Sequence, residues 1–405
     1  MRPGLSREGN ERVFRIRSPM PRIYLDNNAT TPIHPEVAEA LRPFLNGLYG
    51  NPSSIHFAGR EVKATYDAAR QSIAAMIAAN AGDIVITSCG SEANNHAIKG
   101  IAGAAGDKKG HIITSTVEHP AVLNVCRYLE TRGFAVTYLP VDGFGCVDPD
   151  DVRDAIRKDT ILVSIMYANN ETGTVMPIRE ITDAAHARGV PVHSDMVQAL
   201  GKVKVDMKDL GVDLASFSGH KVYAPKGIGA LYVRDGIVLD NLMHGGHQEG
   251  GRRAGTENVI GIVAFGKACE IARKHAEEYA ANMERLRKRL LDGILEKIDH
   301  VRLNGHPTAR LPNTLNLSFE FVESESLLFS LDRKGIAVSS GSACSSGSDE
   351  PSHVLLAMGI PGAVCQSALR FSLGWGNTED DIGYVLDVLP GVVGRLRAMS
   401  PLYRK

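Results

Sequence analysis

One cysteine of this 405-residue chain lies where no apolar neighbour could bury it. Cys344 is in the stretch SSGSACSSGS, residues 339–348, among serines and glycines. Free cysteines are most often small buried hydrophobes, but a thiol with polar, flexible neighbours is accessible as a nucleophile. Because a glycine- and serine-rich backbone also permits movement, the stretch predicts a reactive thiol on a mobile loop, residues 339–349.

A lysine at the end of an apolar strand is the second candidate for covalent chemistry. Lys221 follows Ser218, Gly219 and His220 in the segment VDLASFSGHKVYAPKGIG and precedes a hairpin-like return. Most lysines are solvated surface charges, whereas an amine at the end of a buried strand is desolvated and loses its proton readily. The position therefore predicts a lysine able to form a Schiff base.

Polar residues also follow the other apolar runs. After DIVIT, the turn SCGSEANN begins a helix whose first N–H groups could bind an anion. His119 is at the start of a predicted helix in VEHPAV. Asp195 is the last residue of VPVHSD, and Gln198 follows one helical turn later. Each has a structural alternative: a helix cap, a helix-entry histidine or, in ANNETGT, turn chemistry. Together with a Schiff-base lysine, they indicate the protein's share of pyridoxal 5′-phosphate chemistry.

The elements that must position these residues alternate between strands and helices. Short β-branched runs at 83–87, 111–116, 135–140, 161–167 and 190–194 predict buried strands, and the segments VRDAIRK and IREITDAAHARG predict helices between them. The alternation predicts an α/β fold in which helices wrap a mainly parallel sheet. Ligands bind beyond the carboxyl ends of such strands, which is where the polar residues lie.

The pattern changes in the second half of the chain. Residues 259–298 predict one long helical stretch, after which LNLSFEF, IAVSSG and ALRFSLG have the pattern of strands. We expect a second, smaller α+β domain joined to the first by that helix. The predicted division is an extension at 1–21, a large domain at 30–265, and a small domain made of 22–29 and 266–405 that carries the cysteine loop.

Composition narrows the class of partner. A formal net charge of −1 argues against nucleic acid or a membrane surface and favours small molecules. Six dispersed cysteines without a C-x-x-C pair favour a reducing, cytoplasmic compartment, and no apolar run approaches the roughly 20 residues of a membrane-spanning helix. The arginine-rich first twenty residues lack the apolar stretch of a secretion signal. A disordered extension or an upstream start codon is favoured over a transit peptide.

Motifs along nearly the whole chain resemble those of the cysteine desulfurases of the NifS/IscS class. They are, in order, YLDNNATTP, GNPSSIH, TSCGSEANN, VEHPAV, ANNETGT, SGHKVYAPKGIG, GGHQEGGRRAGTEN, SSGSACSSGSDEPSHV and LRFSLG. DNNATT, TSCG and GGHQE are most similar to the nitrogen-fixation type. The resemblance implies a pyridoxal 5′-phosphate-dependent enzyme of fold type I that acts on L-cysteine.

The resemblance also implies roles at matching positions. Lys221 would bind the cofactor covalently, Asp195 would pair with its pyridine nitrogen, and His119 would stack on the ring. Arg370 and Asn170 would hold the substrate carboxylate. The remaining cofactor contacts would come from Asn170 and Gly219, from Gln198 on the phenolic oxygen, from Gly90, Ser91, Ser218 and His220 around the phosphate, and from Thr256 of the other subunit of a homodimer.

For Cys344, the resemblance implies attack on the sulfur of bound L-cysteine after Lys221 has removed the α-proton. Alanine would leave, and Cys344 would carry a persulfide to an acceptor: a general iron–sulfur scaffold, a nitrogenase-cluster scaffold or a tRNA-thiolation relay. The sequence does not distinguish these acceptors. No metal site is predicted; only Cys344 would be able to contact a cluster held by the acceptor.

The cysteines of the sequence argue against other functions. A selenocysteine lyase or sulfinate desulfinase carries a different type of cysteine motif, a simple aminotransferase would not need Cys344, and a cluster-binding scaffold would need clustered cysteines. Gly250, where an arginine commonly follows the HQE motif, and Trp375, where a basic residue often follows FSLG, depart from the family's pattern. His244 and His247 have the character of loop histidines rather than of a metal site.

Overall fold

The computed structural model describes residues 21–341, 350–401 and 403. The strands are β1 (Ile23–Tyr24), β2 (Ile84–Thr87), β3 (His111–Ser115), β4 (Ala135–Leu139), β5 (Thr160–Ser164), β6 (Val192–Asp195), β7 (Leu214–Ser218), β8 (Gly229–Val233), β9 (Val301–Asn304), β10 (Thr314–Phe319), β11 (Ile336–Ala337), β12 (Ser339–Ser340) and β13 (Ala368–Ser372). The helices are α1 (Pro35–Asn46), α2 (Phe57–Met76), α3 (Gly90–Ala104), α4 (Pro120–Glu130), α5 (Pro149–Ala155), α6 (Ile178–His186), α7 (Met207–Leu210), α8 (Val259–Lys274), α9 (Ala276–Lys297), α10 (Ser324–Asp332), α11 (His353–Ala357), α12 (Gly362–Cys365) and α13 (Glu379–Met399).

The largest sheet has the strand order β2-β8-β7-β6-β5-β3-β4. Strands β3 to β7 run parallel, and β8 is antiparallel to both β7 and β2. Every residue of β2, β3 and β7 is buried, as a sheet with helices on both faces requires. The predicted α/β fold with a mainly parallel sheet is confirmed, and the hairpin-like return after Lys221 is the β7–β8 pair.

Two apolar clusters cover the two faces of this sheet. Ile112 and Ile113, neighbours on β3, belong to different clusters, because successive side chains of a strand point to opposite faces. The larger cluster includes residues of α1, α2 and α8, and the other includes residues of α3 and α4. Helices α2 and α8 approach closely at Gly266, where an added Cβ would lie 2.5 Å from the Ala69 Cα.

A second, antiparallel sheet has the order β12-β13-β10-β9. Its apolar side chains, such as Leu317 and Phe371, form a separate cluster with residues of α9, α10 and α13, among them Leu290 and Leu389. The predicted division at residue 265 falls inside α8, whose buried residues continue to Ala272 in the core of the larger sheet. The division of the chain into domains stays a prediction.

The single long helix predicted over 259–298 is wrong in one respect, because two helices occupy the stretch. Helix α8 ends at Lys274 and α9 begins at Ala276. Between them His275 has φ −112° and ψ 13°, outside the helical region. Its imidazole lies 3.0 Å from the Glu278 carboxylate and stacks on Tyr279 with ring centroids 5.2 Å apart, so local side-chain contacts accompany the break.

The N-terminal segment connects the two sheets. Strand β1 pairs in parallel with β11, and the Asn27 and Asn28 N–H groups then donate to the Ser372 carbonyl and hydroxyl oxygens at 3.1 and 2.9 Å. Three residues later, the Thr31 N–H donates to the His220 carbonyl at 3.1 Å, beside the end of β7. The segment therefore brings its own backbone to the carboxyl edge of the larger sheet.

None of the helices in the described ranges combines the length and the apolar character needed to cross a membrane. The predicted extension at 1–21 lies almost wholly outside the described residues, and so do Cys344 and residues 342–349 of the predicted cysteine loop.

Candidate active site

The carboxyl ends of the parallel strands open onto a cavity of about 300 Å³, a size at the lower end of small-molecule sites. Strands β3, β5, β6 and β7 each deliver side chains to it from their last residue or the turn that follows. Sequence-predicted residues that line the cavity are Gly90, Ser91, His119, Asn170, Asp195, Gln198, Ser218, His220, Lys221 and Arg370.

Three predicted residues are not in the lining. Gly219 is buried directly after β7, where an added Cβ would lie 2.7 Å from Ile228 Cγ2. Thr256 is exposed and lines a separate groove with Thr87 and Ser88. Cys344 lies outside the described part of the chain. The predicted roles of these residues stay predictions.

Lys221 reaches the cavity from a short 3-10 turn, Gly219–Lys221, that follows β7. Its Nζ donates to the main-chain carbonyl oxygens of Asn28 at 2.5 Å and Ala29 at 2.7 Å. The chain reverses just beyond, where Tyr223 has a φ of +67°. The N-terminal segment thus holds the amine at the edge of the cavity.

Asp195, the last residue of β6, presents a buried carboxylate to the cavity. Asn94 Nδ2 donates to one carboxylate oxygen at 2.7 Å, and the Val197 N–H donates to the other at 3.0 Å. An ionised acid in a buried site favours a cationic or N–H partner. The carboxylate is therefore suited to a protonated ring nitrogen.

His119 caps the first turn of α4, as the sequence predicted. Its Nδ1 accepts from the Ala121 N–H at 3.0 Å, so the proton of the neutral ring resides on Nε2. Burial lowers the pKa of His119, and the positive charges of Lys221 and His353 lower it further, against the opposing effect of Asp195. The cavity therefore contains a neutral, planar imidazole.

The start of α3 forms an anion-binding edge. Cys89 caps the helix by accepting from the Glu92 N–H at 3.4 Å, and the N–H groups of Gly90 and Ser91 have no acceptor within the helix. At Gly90 an added Cβ would lie 2.7 Å from Val197 Cγ2, so the absence of a side chain permits this close approach. The helix dipole and free N–H groups suit a phosphate.

His220 adds a neutral imidazole to the same wall. Its Nδ1 lies 3.0 Å from the Thr30 hydroxyl. Burial, together with the positive charges of Lys221, Lys226 and Lys202, lowers its pKa to about 4. At neutral pH the ring is therefore uncharged and binds through hydrogen bonds alone.

Several residues of the site were not predicted. Asn28 lines the cavity, Asn94 donates to Asp195, and Asp26 pairs with Arg370. All three lie within the motifs YLDNNATTP and TSCGSEANN, but the sequence analysis assigned no role to them. Lys202, four residues after Gln198, is buried behind the cavity. Only its placement after a predicted buried strand could have distinguished it from a surface lysine.

The two departures from the family's pattern have structural contexts. Gly250 has a φ of +67°, in the left-handed region that favours glycine. The Trp375 N–H donates to the Tyr223 hydroxyl at 3.0 Å, so the smaller sheet contacts the turn that carries Lys221. Arg253 forms an ion pair with Glu92, in which Arg253 Nε lies 2.8 Å from Glu92 Oε1.

The donor set fits pyridoxal 5′-phosphate. It comprises an amine, a buried carboxylate, a neutral imidazole and a helix start at which a glycine leaves space. The carboxylate's partner Asn94 has a buried Oδ1 that lacks a hydrogen-bond partner among the described residues. No group of three or more histidine, cysteine, aspartate or glutamate side chains within the described ranges is arranged to hold a metal ion.

Comparisons with known proteins agree with this geometry. The family model described as aminotransferase class-V matches residues 23–385. Cysteine desulfurase IscS of Methanosarcina thermophila is 53% identical over 383 residues, which cover 95% of each chain. A solved NifS-like protein superposes with a TM-score of 0.88 and 38% identity, covering 93% of this chain and all of that one. SspA, solved in complex with cysteine, gives a TM-score of 0.78 and 38% identity, covering 88% of this chain and 100% of SspA.

The fold and the matched range define the chain as a member of the class-V aminotransferase family. Within that family it belongs to the cysteine desulfurases of the NifS/IscS type. The family resemblance and the fold type predicted from the motifs are thereby confirmed.

Proposed function

We propose that this protein is a pyridoxal 5′-phosphate-dependent cysteine desulfurase that converts L-cysteine to L-alanine and passes the sulfur to a protein acceptor. The observation that carries the proposal is the convergence of Lys221, Asp195 and Arg370 on one cavity. An amine, an acid and a guanidinium there match a carbonyl cofactor, its ring nitrogen and an amino-acid carboxylate. The desulfurases similar to this chain support the same activity.

When bound, pyridoxal 5′-phosphate supplies an electron sink that stabilises negative charge at the substrate Cα. Asp195 would keep the ring nitrogen protonated, because a buried carboxylate stabilises a positive charge beside it. His119 would cover the ring face, and the N–H groups at the start of α3 would hold the phosphate. Lys221 would hold the cofactor, and its Nζ would take the α-proton of the substrate.

The cysteine substrate is bound by its carboxylate. Arg370 supplies the planar guanidinium suited to that group, and Asn170 lies beside it, with its carbonyl accepting from Arg370 Nη1 at 3.1 Å. SspA, a structural relative, was solved in complex with cysteine. The cavity volume of about 300 Å³, at the lower end of small-molecule sites, is in keeping with a cofactor ring and a small amino acid.

Cys344 takes the sulfur. Its thiolate attacks the substrate Sγ, a sulfur–sulfur bond forms and the Cβ–Sγ bond breaks. The electron pair stays on the carbon side, which is then protonated to give alanine. The same residue then transfers the outer sulfur of the persulfide to its acceptor.

The acceptor class we propose is an iron–sulfur scaffold, since the relatives include IscS proteins; a nitrogenase-directed role stays a prediction. We also propose a homodimer in the cytoplasm. Thr256 lies outside the cavity, and Tyr49, Ile55 and Phe57 are exposed apolar residues that a second copy would cover. In such a dimer Thr256 would contact the phosphate in the other subunit.

The test is a visible spectrum of the purified protein with assays of alanine and sulfide from L-cysteine plus a reductant. Wild type should be yellow and release the two products in equal amounts. Cys344→Ala should stay yellow but release no sulfide, whereas Lys221→Ala should lose the covalent chromophore. Full activity of Cys344→Ala would show that the loop cysteine is not the nucleophile and would favour a lyase without a persulfide.

A further inference from the structure

A lysine behind the cavity has no role in the proposed reaction. The Lys202 side chain is buried, and its Nζ donates to Gln198 Oε1 at 2.6 Å and to Asn28 Oδ1 at 3.1 Å. Both of these partners line the cavity, whereas Lys202 lies behind them. Burying an amine costs free energy unless it is well hydrogen-bonded, so the position calls for a function beyond filling space.

The contacts of Gln198 fix which way its amide faces. Gln198 Nε2 donates to the Asn28 main-chain carbonyl at 2.9 Å, which can only accept, so Oε1 faces Lys202. The second hydrogen of Nε2 is then available to the cavity that Gln198 lines. Without Lys202, Oε1 would be a buried acceptor without a donor, and the preference for this orientation would weaken.

Asn28 is fixed in the same manner. Its Oδ1 accepts from Lys202 and from Asn313 Nδ2 at 3.1 Å, while its Nδ2 donates to the Asn170 carbonyl at 3.2 Å. The main-chain carbonyl of Asn28 also accepts from Lys221 Nζ. Lys202 therefore bonds directly to Gln198, whose amide faces the cavity, and to Asn28, which accepts from the Lys221 amine.

The protonation state of Lys202 does not change this geometry. Burial, together with the positive charges of Lys221 and Arg370, lowers the pKa of Lys202 well below its usual range. A lysine amine still donates hydrogen bonds when it is neutral. Donation to Gln198 Oε1 also polarises the amide and strengthens Nε2 as a donor.

We propose that Lys202 is a positioning residue that holds Gln198 with Nε2 directed to the phenolic oxygen of the bound ring and thereby tunes the ring's protonation. The inference rests on the proposed cofactor. A donor at that oxygen stabilises its anionic form, so a weaker donor raises the pH at which the bound chromophore changes protonation.

The first test compares Lys202→Met, which keeps the side chain's length but removes the donor, with Lys204→Met. Lys204 is two residues on, and its side chain is 78% exposed. Each protein is loaded with pyridoxal 5′-phosphate, and its visible absorption is titrated against pH without substrate. Lys202→Met should move the midpoint upward by about half a pH unit or more, and Lys204→Met should leave it unchanged. An unchanged midpoint in Lys202→Met would overturn the proposal.

A double variant separates positioning from a direct charge effect. In a Gln198→Met background, Lys202→Met should add no further shift, because the amide through which it acts is gone. A further shift equal to that seen in wild type would overturn the role through Gln198. If the Lys202→Met variant alone does not fold, the double variant can still be compared with Gln198→Met, because its two apolar side chains are present together. Wild type that takes up no pyridoxal 5′-phosphate would instead overturn the proposed cofactor.

Discussion

Arg370 and Asp26, which are 344 positions apart in the chain, form an ion pair at the mouth of the cavity. Arg370 Nη2 donates to Asp26 Oδ1 at 2.7 Å, and the arginine side chain is 1% exposed. Its Nε is buried and, within the described residues, has no hydrogen-bond partner. Strand β13 of the smaller sheet thus delivers a cation, and the N-terminal segment fixes its orientation, before any substrate binds.

We predict that Arg370→Lys raises KM for L-cysteine by about tenfold or more and changes kcat less. A lysine keeps the charge but cannot form the paired hydrogen bonds of a guanidinium, which are charge-assisted bonds worth about 1.5–3 kcal/mol each. Steady-state kinetics of alanine formation measure the split. Asp26→Asn, which keeps a hydrogen-bonding oxygen, is the matched control and should raise KM by less. Equal KM values for Arg370→Lys and wild type would show that the carboxylate binds elsewhere.

Asp195→Asn should lower kcat on the order of 100-fold while the protein still binds the chromophore. The substitution removes the negative charge that, in the proposed reaction, would keep the ring nitrogen protonated, and we expect the fold to tolerate the change. Among the described residues Asn94 Oδ1 has no hydrogen-bond partner, so the Asn94 amide can turn over and accept from the new NH₂ group. A thermal midpoint within a few degrees of wild type is the control for folding. Retention of full kcat would exclude Asp195 as the partner of the ring nitrogen.

Gly90→Ala should weaken binding of pyridoxal 5′-phosphate by about tenfold and leave binding of pyridoxal, which has no phosphate, much less affected. The added methyl group would lie 2.7 Å from Val197 Cγ2 and force the start of α3 to shift. Gly82→Ala is the control, because an added Cβ there has nothing within 4 Å. Fluorescence titration of the cofactor-free protein measures both ligands. Equal losses for the two ligands would argue against a phosphate site at this helix start.

Glu118→Gln should change how stability depends on pH. Burial raises the pKa of Glu118 from 4.5 to about 8, although Ser115 and the Met166 N–H donate to it and lower the pKa in part. Between those values the folded protein holds a proton that the unfolded chain has lost, so stability is full below pH 4.5 and falls as pH rises toward 8.

Glutamine has no proton to lose. The variant should therefore lack up to about 1.4 kcal/mol per pH unit of this decline, as measured by urea unfolding at several pH values from 5 to 8. A decline identical to that of wild type would mean that Glu118 is ionised in the folded state at neutral pH.

The sequence predicted the features that depend on local pattern. The strands that end near Ser115 and Asp195 were visible as β-branched runs, and residues after the parallel strands meet at one edge because the strands run in the same direction. The break at His275 was missed because the helical pattern continues on both sides of it. It follows from contacts of one imidazole with Glu278 and Tyr279.

Roles that depend on distant contacts were not predictable. In the sequence, Lys202 resembles a surface charge. Besides Gln198, four residues before it, its buried partner is Asn28 of the N-terminal segment, 174 positions away. The role of Asp26 depends on its ion pair with Arg370, which is near the other end of the chain. No window of sequence contains either pair, so periodicity and turn chemistry carry no information about them.

The N-terminal segment has a consequence for the order of events during synthesis. Residues 26–28 bond to Gln198 and Lys221 beside the larger sheet and also to Arg370 and Ser372 of β13. This first part of the site to leave the ribosome therefore gains its full set of contacts only after one of the last parts has emerged. The larger sheet can begin to form when its strands have emerged, since all of them precede residue 234. A nascent chain therefore has a partly built scaffold, and the part of the cavity wall that contains Arg370 is complete only after β13 has been synthesised.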